Sequence, residues 1–567
     1  MPEELPLPPP VEVPPAVRHA PDGRVDVEAL LDELTPRQKL AQLVIPWVAG
    51  AYQAFDDSAL ARAAGWVDSL QVGGIIVSVG SPLDIAAKLN YLQRRSALPL
   101  LIASDLEAGT AGRFVGGTPF PTNMGVGATG RELDAYEMGR ITALEGRAVG
   151  IGLAFAPVAD VNNNPANPII NTRSFGEDPA AVARYVTAAV RGMQEHGLPA
   201  TVKHFPGHGD TGTDSHIALP VITADWRRLD TLELVPFRAA VDAGVTAVMS
   251  AHIALPGIDS GRTRPATVTP EVLTGILRDS LGFRGLIVTD ALDMGALVSA
   301  YGAGQAAVLA FRAGADLLLQ PADPAVALDS LVAAYGRHEI TDERLDESVR
   351  RVLRLKRQLG LFRRRTVNLE AIPEVVGDSA FRAEAQAIAA RSLVLAKDSA
   401  GTVAALRRGR DRVTLVTYGD ENSPNVGVRL SQELRTAGHP VTVFKLWPMS
   451  GAASYDSARA ILGRNGTAVF VASVRTSAWR GTLALPDAMA GLIDSVSRTR
   501  PTVLVSEGSP YIIQQAPSAG SYLLGWTPNA LAETAIGQAL GGRAPITGHL
   551  PISIPPYFTI GTGIERR

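Results

Sequence analysis

The chain has 567 residues, of which 46% are hydrophobic and 19% charged, with a formal net charge of −3 and no cysteine. That length predicts two or three domains, and the near-neutral charge excludes a strongly basic nucleic-acid surface, the arginine clusters at 363–365 and 407–412 reading as a linker and a helix end. Lack of cysteine excludes disulfides, thiolate metal sites and cysteine nucleophiles and leaves the redox compartment open; no run of about 18 apolar residues is present to span a membrane.

Residues 1–24 are proline-rich and lack an apolar signal core, which predicts an extended, weakly ordered leader. The same stretch also fits the start of a mature chain whose signal peptide has been removed, so the compartment stays open between cytoplasm and periplasm or exterior.

From residue 25 to 362, short β-rich runs alternate with helical stretches. The expected strands are 40–48, 73–79, 98–104, 152–160, 198–205, 245–253, 285–292 and 315–321. Helix-like segments lie between them, as at 133–150 and 180–197, where His196-Gly197 supplies a basic residue and a stop. Eight strands alternating with helices predict an α/β fold, a (β/α)8 TIM-like barrel, with a doubly wound open sheet as the alternative. Both place ligands beyond the strand C-termini. The chemically distinctive residues fall there: Asp105 after LLIAS, Lys203-His204 ending PATVKH, His252 after AVMSA, and Asp290 ending GLIVTD.

A long closing helix is expected over 341–362, with Thr341 as its N-cap, then a linker over 363–380. A second α/β unit comes next, over 381–560, with strands at LVLAK, 412–420, VTVFKL, 467–474, 502–508 and 521–526. Its alternation with helices predicts a smaller three-layer αβα sandwich.

The stretch KHFPGHGDTGTDSHIALP, from Lys203 to Pro220, holds three of the nine histidines of the chain. Three readings compete: a metal site, a proton-transfer site or a polar surface loop. His204 and His208 have the i, i+4 spacing of a zinc pair, but Pro206, Gly207 and Gly209 argue against a helix there. In Asp214-Ser215-His216 the carboxylate can reach the imidazole, fix its tautomer and raise its basicity. Asp290 is either a cap for the next helix or a carboxylate aimed into the mouth of the fold. Arg173, in NTRSFGEDP, either grips a ligand with its planar fork or forms a loop-stabilising pair with Glu177 or Asp178. Asp105 and Arg113, in SDLEAGTAGR, make a further group.

Taken in order, the motifs SDLE…R, RSFGED, KHFPGHGDTGTDSH, MSAHI, PATVT and VTDAL resemble glycoside hydrolase family 3, in its β-N-acetylglucosaminidase branch. The second unit, ending GGRAPITGHLPISIP, resembles the second domain of two-domain members. The resemblance implies a retaining glycosidase that removes terminal β-linked N-acetylglucosamine from peptidoglycan fragments or chitooligosaccharides. It implies Asp290 as nucleophile, His216 as general acid/base and Asp214 orienting His216. It further implies sugar contacts from Asp105, Arg113, Arg173, Lys203 and His204, with no cofactor and no metal. In LEAGTAG, residues Leu106, Ala108 and Thr110 depart from the family pattern QEGGRV, whereas Asp105, Glu107, Gly109 and Arg113 keep their places. Phosphorolysis on the same site and a broader β-glucosidase activity are the alternatives; a sugar-binding protein without turnover is disfavoured by the presence of Asp290, His216 and Asp214. The expected partner is a small carbohydrate, not nucleic acid. The oligomeric state is open.

Overall fold

A computed structural model describes residues 25–567 except 216, 421–422, 464–465 and 477–482. In the first unit the strands are β1 (Val44–Ile45), β2 (Trp47–Ala49), β3 (Gly74–Ser78), β4 (Leu101–Ser104), β5 (Leu153–Ala154), β6 (Thr201–Phe205), β7 (Ala247–Ser250), β8 (Leu286–Val288) and β9 (Leu318–Leu319). All eight expected runs contain strand. The first run differs in detail. Its opening residues finish the helix Pro36–Ala41, and Pro46 divides the remainder into β1 and β2. Proline has no N–H to give a ladder, and the chain changes neighbours there: β1 pairs with β9, β2 with β3.

All strand pairs in this unit are parallel. β2, β3, β4 and β5 form one sheet and β6, β7 and β8 another. Parallel bridges Ala154↔Ala200 and Val158↔Lys203 join the two, and Val288↔Leu317 leads on to β9. Since β9 pairs with β1, the pairings return to the segment where they began. The helices that intervene, among them Ser58–Asp68, Pro82–Arg95, Glu132–Val149, Pro179–Glu195 and Gly295–Ala313, pack apolar faces on these strands. Burial on both faces explains why the strands read as near-continuous Val, Ile, Leu and Ala runs. Helix Asp342–Gln358 closes the unit, its first turn held by Thr341, which accepts from the Arg344 N–H.

The second unit has a six-stranded sheet in the order β10 (Val394–Asp398), β15 (Ser521–Leu524), β14 (Thr502–Ser506), β13 (Thr467–Ala472), β11 (Val413–Tyr418), β12 (Val441–Leu446). Only β10 runs antiparallel to its neighbour. Alternate side chains enter two cores. Leu415, Val469 and Val503 pack with helices Val428–Thr436 and Ala530–Leu540. Val416, Phe470 and Leu504 pack with helices Ala452–Leu462 and Asp487–Ser497. The last core also takes in Met124 and Ala128 of the first unit. Pairing in the second unit runs on to the chain end, where Ile546 bridges Arg566.

Candidate active site

Strand ends converge on one cavity of about 720 Å³, lined by residues that include Asp105, Arg113, Arg173, Lys203, His204 and Asp290. Six sequence-expected site residues are therefore brought together. A seventh, Asp214, is buried directly before Ser215, which lines the same cavity. His216 lies outside the described residues.

The cavity wall is an alternating set of charges. The buried Lys203 Nζ donates to Asp105 Oδ1 at 2.8 Å and lies 2.7 Å from Glu107 Oε1. Arg173 forks onto Glu107, with Nε to Oε2 at 2.9 Å and Nη2 to Oε1 at 2.8 Å. Arg113 Nη2 lies 3.7 Å from Asp105 Oδ2. Burial alone would raise the Glu107 carboxyl, but Arg173 and Lys203 outweigh it and hold the group well below the usual carboxylate range. Burial likewise opposes the charge of Lys203, and the carboxylates of Asp105 and Glu107 reverse that and raise it. Both groups are thus fixed as ions, a donor and an acceptor set side by side in the cavity wall.

Asp160, at the end of the expected strand 152–160, is fully buried and organises the histidine loop. His204 Nδ1 donates to Asp160 Oδ2 at 2.7 Å, and the His208 N–H donates to Oδ1 at 2.6 Å. The other His204 nitrogen faces Arg173 Nη2 at 3.3 Å. The His208 ring is held between Thr211 Oγ1 (2.7 Å) and Ser215 Oγ (3.2 Å). Burial first, and the neighbouring His204 second, push His208 down to about 4, so it stays neutral near pH 7. The two rings serve separate partners, His204 facing Asp160 and Arg173 and His208 facing Thr211 and Ser215. Gly209 lets the loop close on the first unit: a Cβ there would sit 1.7 Å from the Val161 carbonyl oxygen.

Asp290 comes just after β8. Its Oδ1 accepts from the Ala291 N–H at 2.8 Å. The next helix starts only at Gly295, with Met294 as an N-cap that gives no side-chain bond; the capping alternative for Asp290 is therefore corrected, because the chain turns for four residues before the helix begins. Burial raises the Asp290 carboxyl, but His204, His252, the Ala291 N–H and Lys203 together draw it below its ordinary value. The result is an ionised carboxylate that lines the cavity. The loop-pair alternative for Arg173 is also corrected. Its partner is Glu107, while Glu177 accepts from Ser553 of the second unit and Asp178 caps helix Pro179–Glu195.

The sequence alone singles out neither Glu107 nor Asp160 as a site residue, and it gives no sign of Thr476, which reaches the cavity from the second unit. Asp160 carries a signal, as an acid ending a predicted strand. His252 stands out at a strand end without a role attached; its ring lies 2.9 Å from the Ala291 carbonyl oxygen and so braces the turn after Asp290.

Residues 35–355 match the family described as glycosyl hydrolase family 3 N terminal domain. A β-N-acetylglucosaminidase/β-glucosidase from Cellulomonas fimi is 32% identical over 503 residues, covering 85% of this chain and 88% of its own. The solved structure of a glycoside hydrolase family 3 β-N-acetylglucosaminidase from Paenibacillus sp. str. FPU-7 superposes with a TM-score of 0.83 at 33% identity, over 93% of this chain and 99% of that one. A β-glucoside phosphorylase superposes with the same TM-score at 26% identity, over 93% and 96%.

Proposed function

Because the chain belongs to glycosyl hydrolase family 3, we propose that it removes terminal β-linked N-acetylglucosamine from peptidoglycan fragments or chitooligosaccharides with retention of configuration. The observation that carries this is the ionised Asp290 in a cavity that Lys203, Asp105, Arg113 and Arg173 also line. In our reading the first unit is a (β/α)8 barrel over 25–362, on the ring of parallel pairings. The second, over 381–560 and joined by a linker at 363–380, is a three-layer αβα sandwich.

The Asp290 carboxylate attacks the anomeric carbon and the glycosidic oxygen leaves. A glycosyl–Asp290 ester forms, and water then hydrolyses it. The departing oxygen takes a proton from His216, which Asp214 orients, and His216 recovers a proton from the attacking water. His208 cannot share this work, since it is neutral and both ring nitrogens are engaged. Lys203, Asp105, Arg113 and Arg173 bind the hydroxyls of the sugar, and His204, held by Asp160, closes that wall.

The test is a slow β-N-acetylglucosaminide: mass spectrometry of digested protein should find the sugar on the peptide carrying Asp290. An adduct elsewhere, or release of the α-anomer first, rejects the reading. The likeness to a β-glucoside phosphorylase supports a second reading, attack by phosphate on the same ester. N-acetylglucosamine 1-phosphate as the main product in phosphate buffer would favour it. Activity on β-glucosides rather than β-N-acetylglucosaminides would favour the broader glucosidase.

A further inference from the structure

Joined to the wall of this cavity through the backbone beside Arg113 lies an apolar patch that the proposed chemistry does not use. Around the ring of strands, β1–β2 and β3 stand between β9, next to the cavity residue Gln320, and β4, which leads to the cavity residue Arg113. Exposed here are Trp47 on β2, Tyr52 and Phe55 in the loop after it, Val79 just after β3, Leu83 in the first turn of helix Pro82–Arg95, and Val115 in the segment after β4; Tyr52 is 76% accessible, Val115 71% and Phe55 61%. The segments are tied to one another. The Gly50 N–H donates to the Ser78 carbonyl, and Trp47 Nε1 donates to Ser78 Oγ. The Gly80 N–H donates to the Arg113 carbonyl and the Val115 N–H to that of Gly80. The patch is therefore continuous with the backbone that carries Arg113 into the cavity.

Two costs are borne to hold it in place. Lys88 is buried, and its ammonium donates to the Ala49 carbonyl (2.5 Å), the Ala51 carbonyl (2.6 Å) and Gln53 Oε1 (2.7 Å). Burial opposes that charge and lowers the lysine. These three bonds pin the loop from which Tyr52 and Phe55 face solvent. Phe55 is steadied further by an edge contact with Tyr91, ring centres 5.6 Å apart. Val79, a β-branched residue, is held at φ +51° with its side chain in solvent. Such a backbone is unfavourable for valine and persists only where the surroundings impose it. A pinned loop and a strained valine that put apolar groups into water mark a binding surface rather than slack.

We propose that this patch is a platform for the leaving-group saccharide, the second and third sugar units of a β-linked oligosaccharide; this rests on the glycosidase reading of the cavity. When a terminal sugar fills the cavity with its anomeric carbon at Asp290, everything beyond the glycosidic oxygen lies outside, on the patch. Equatorially substituted pyranoses offer faces of axial C–H groups, which aromatic and aliphatic side chains cover well, and ring-sized contacts of this kind add selectivity without charge.

The test compares the wild type with Tyr52→Ser/Phe55→Ser, using N,N′,N″-triacetylchitotriose and β-N-acetylglucosaminyl azide, whose leaving group cannot reach the patch. The ratio of kcat/KM for trisaccharide over azide should fall about tenfold in the double variant, the scale of one or two aromatic contacts. Val443→Ser, at an exposed position on strand β12 of the second unit, should leave the ratio alone. In an Asp290→Ala background, calorimetric titration should find the trisaccharide bound more tightly than N-acetylglucosamine, with the gap closed by the same substitutions. An unchanged ratio and gap overturn the platform. So does loss of concentration-dependent dimerisation with saccharide preference intact, which assigns the patch to a second copy of the chain. A wild type inert on both substrates overturns the parent reading, and the titration then judges the platform alone.

Discussion

At the scale of single residues, the site works because its charges are locked by one another rather than by solvent. Removing Asp290 tests the centre. Asp290→Ala should lower kcat/KM by roughly a thousandfold or more without changing the melting temperature. Azide added with an activated substrate should then yield the α-glycosyl azide, since a small anion fills the vacated space and attacks from that face; no azide product would reject Asp290 as nucleophile. His216→Ala should slow substrates with poor leaving groups about a hundredfold more than activated aryl glycosides, and equal losses would reject the acid role. Glu107 holds the wall. Its carboxyl is depressed by Arg173 and Lys203, so it contributes stability that is present above the ordinary carboxylate range and is lost as pH falls through its lower folded value. Glu107→Gln should cost about 2 kcal/mol at pH 7, raise KM more than it lowers kcat, and approach the wild type in acid. A constant difference at all pH values would reject this ion-pair origin.

Among the elements, helix Asp342–Gln358 carries the clearest pH signature. Lys356 is fully buried on it, its ammonium donating to Gln42 Oε1 at 2.7 Å. Burial, and secondarily Arg365, push it down to about 7. Between that value and its unfolded value near 10.5 the unfolded chain binds the extra proton, so stability rises with pH across the window, by up to about 1.4 kcal/mol per unit. Equilibrium denaturation from pH 7 to 10 should record that slope, and Lys356→Met should flatten it; a slope unchanged in the variant assigns it elsewhere. This helix is legible in sequence because its apolar residues recur at helical spacing behind the Thr341 cap, and the eight β-rich runs because strands buried on both faces are written as near-continuous apolar runs. The change of neighbours at Pro46 is not, since pairing is decided by segments far along the chain. The same holds in the site. Asp105, Lys203, His204 and Asp290 are recognisable as strand-end polar residues. Glu107 acquires meaning only from a partner 66 residues away, and Asp160, visible as an acid ending an expected strand, takes its role from His204, 44 residues on.

Across the whole molecule, the two units share a core and an active-site wall, and they should therefore unfold together. Met124, on the first unit's helix Asn123–Gly127, is fully buried among side chains of the second. A Cβ on the next residue, Gly125, would sit 2.9 Å from Trp526, so that helix lies hard against the second unit. Polar ties surround this contact. Asn162 Nδ2 donates to Tyr511 Oη (3.0 Å), Arg391 Nη2 to Asp134 Oδ1 (2.8 Å), and Ser553 Oγ to Glu177 Oε1 (2.6 Å). Glu177 lies four residues beyond Arg173, and Thr476 lines the cavity, so displacement of the second unit disturbs the cavity wall directly. The wild type should melt in one calorimetric transition. Met124→Asp places an unpaired carboxylate in the shared core at a cost of several kcal/mol, relieved only by separating the units. It should split the transition in two and raise KM while leaving the helical circular-dichroism signal at 25 °C intact. A single transition at the wild-type temperature with KM unchanged would mean that this contact does not couple the two units and that the cavity does not depend on it.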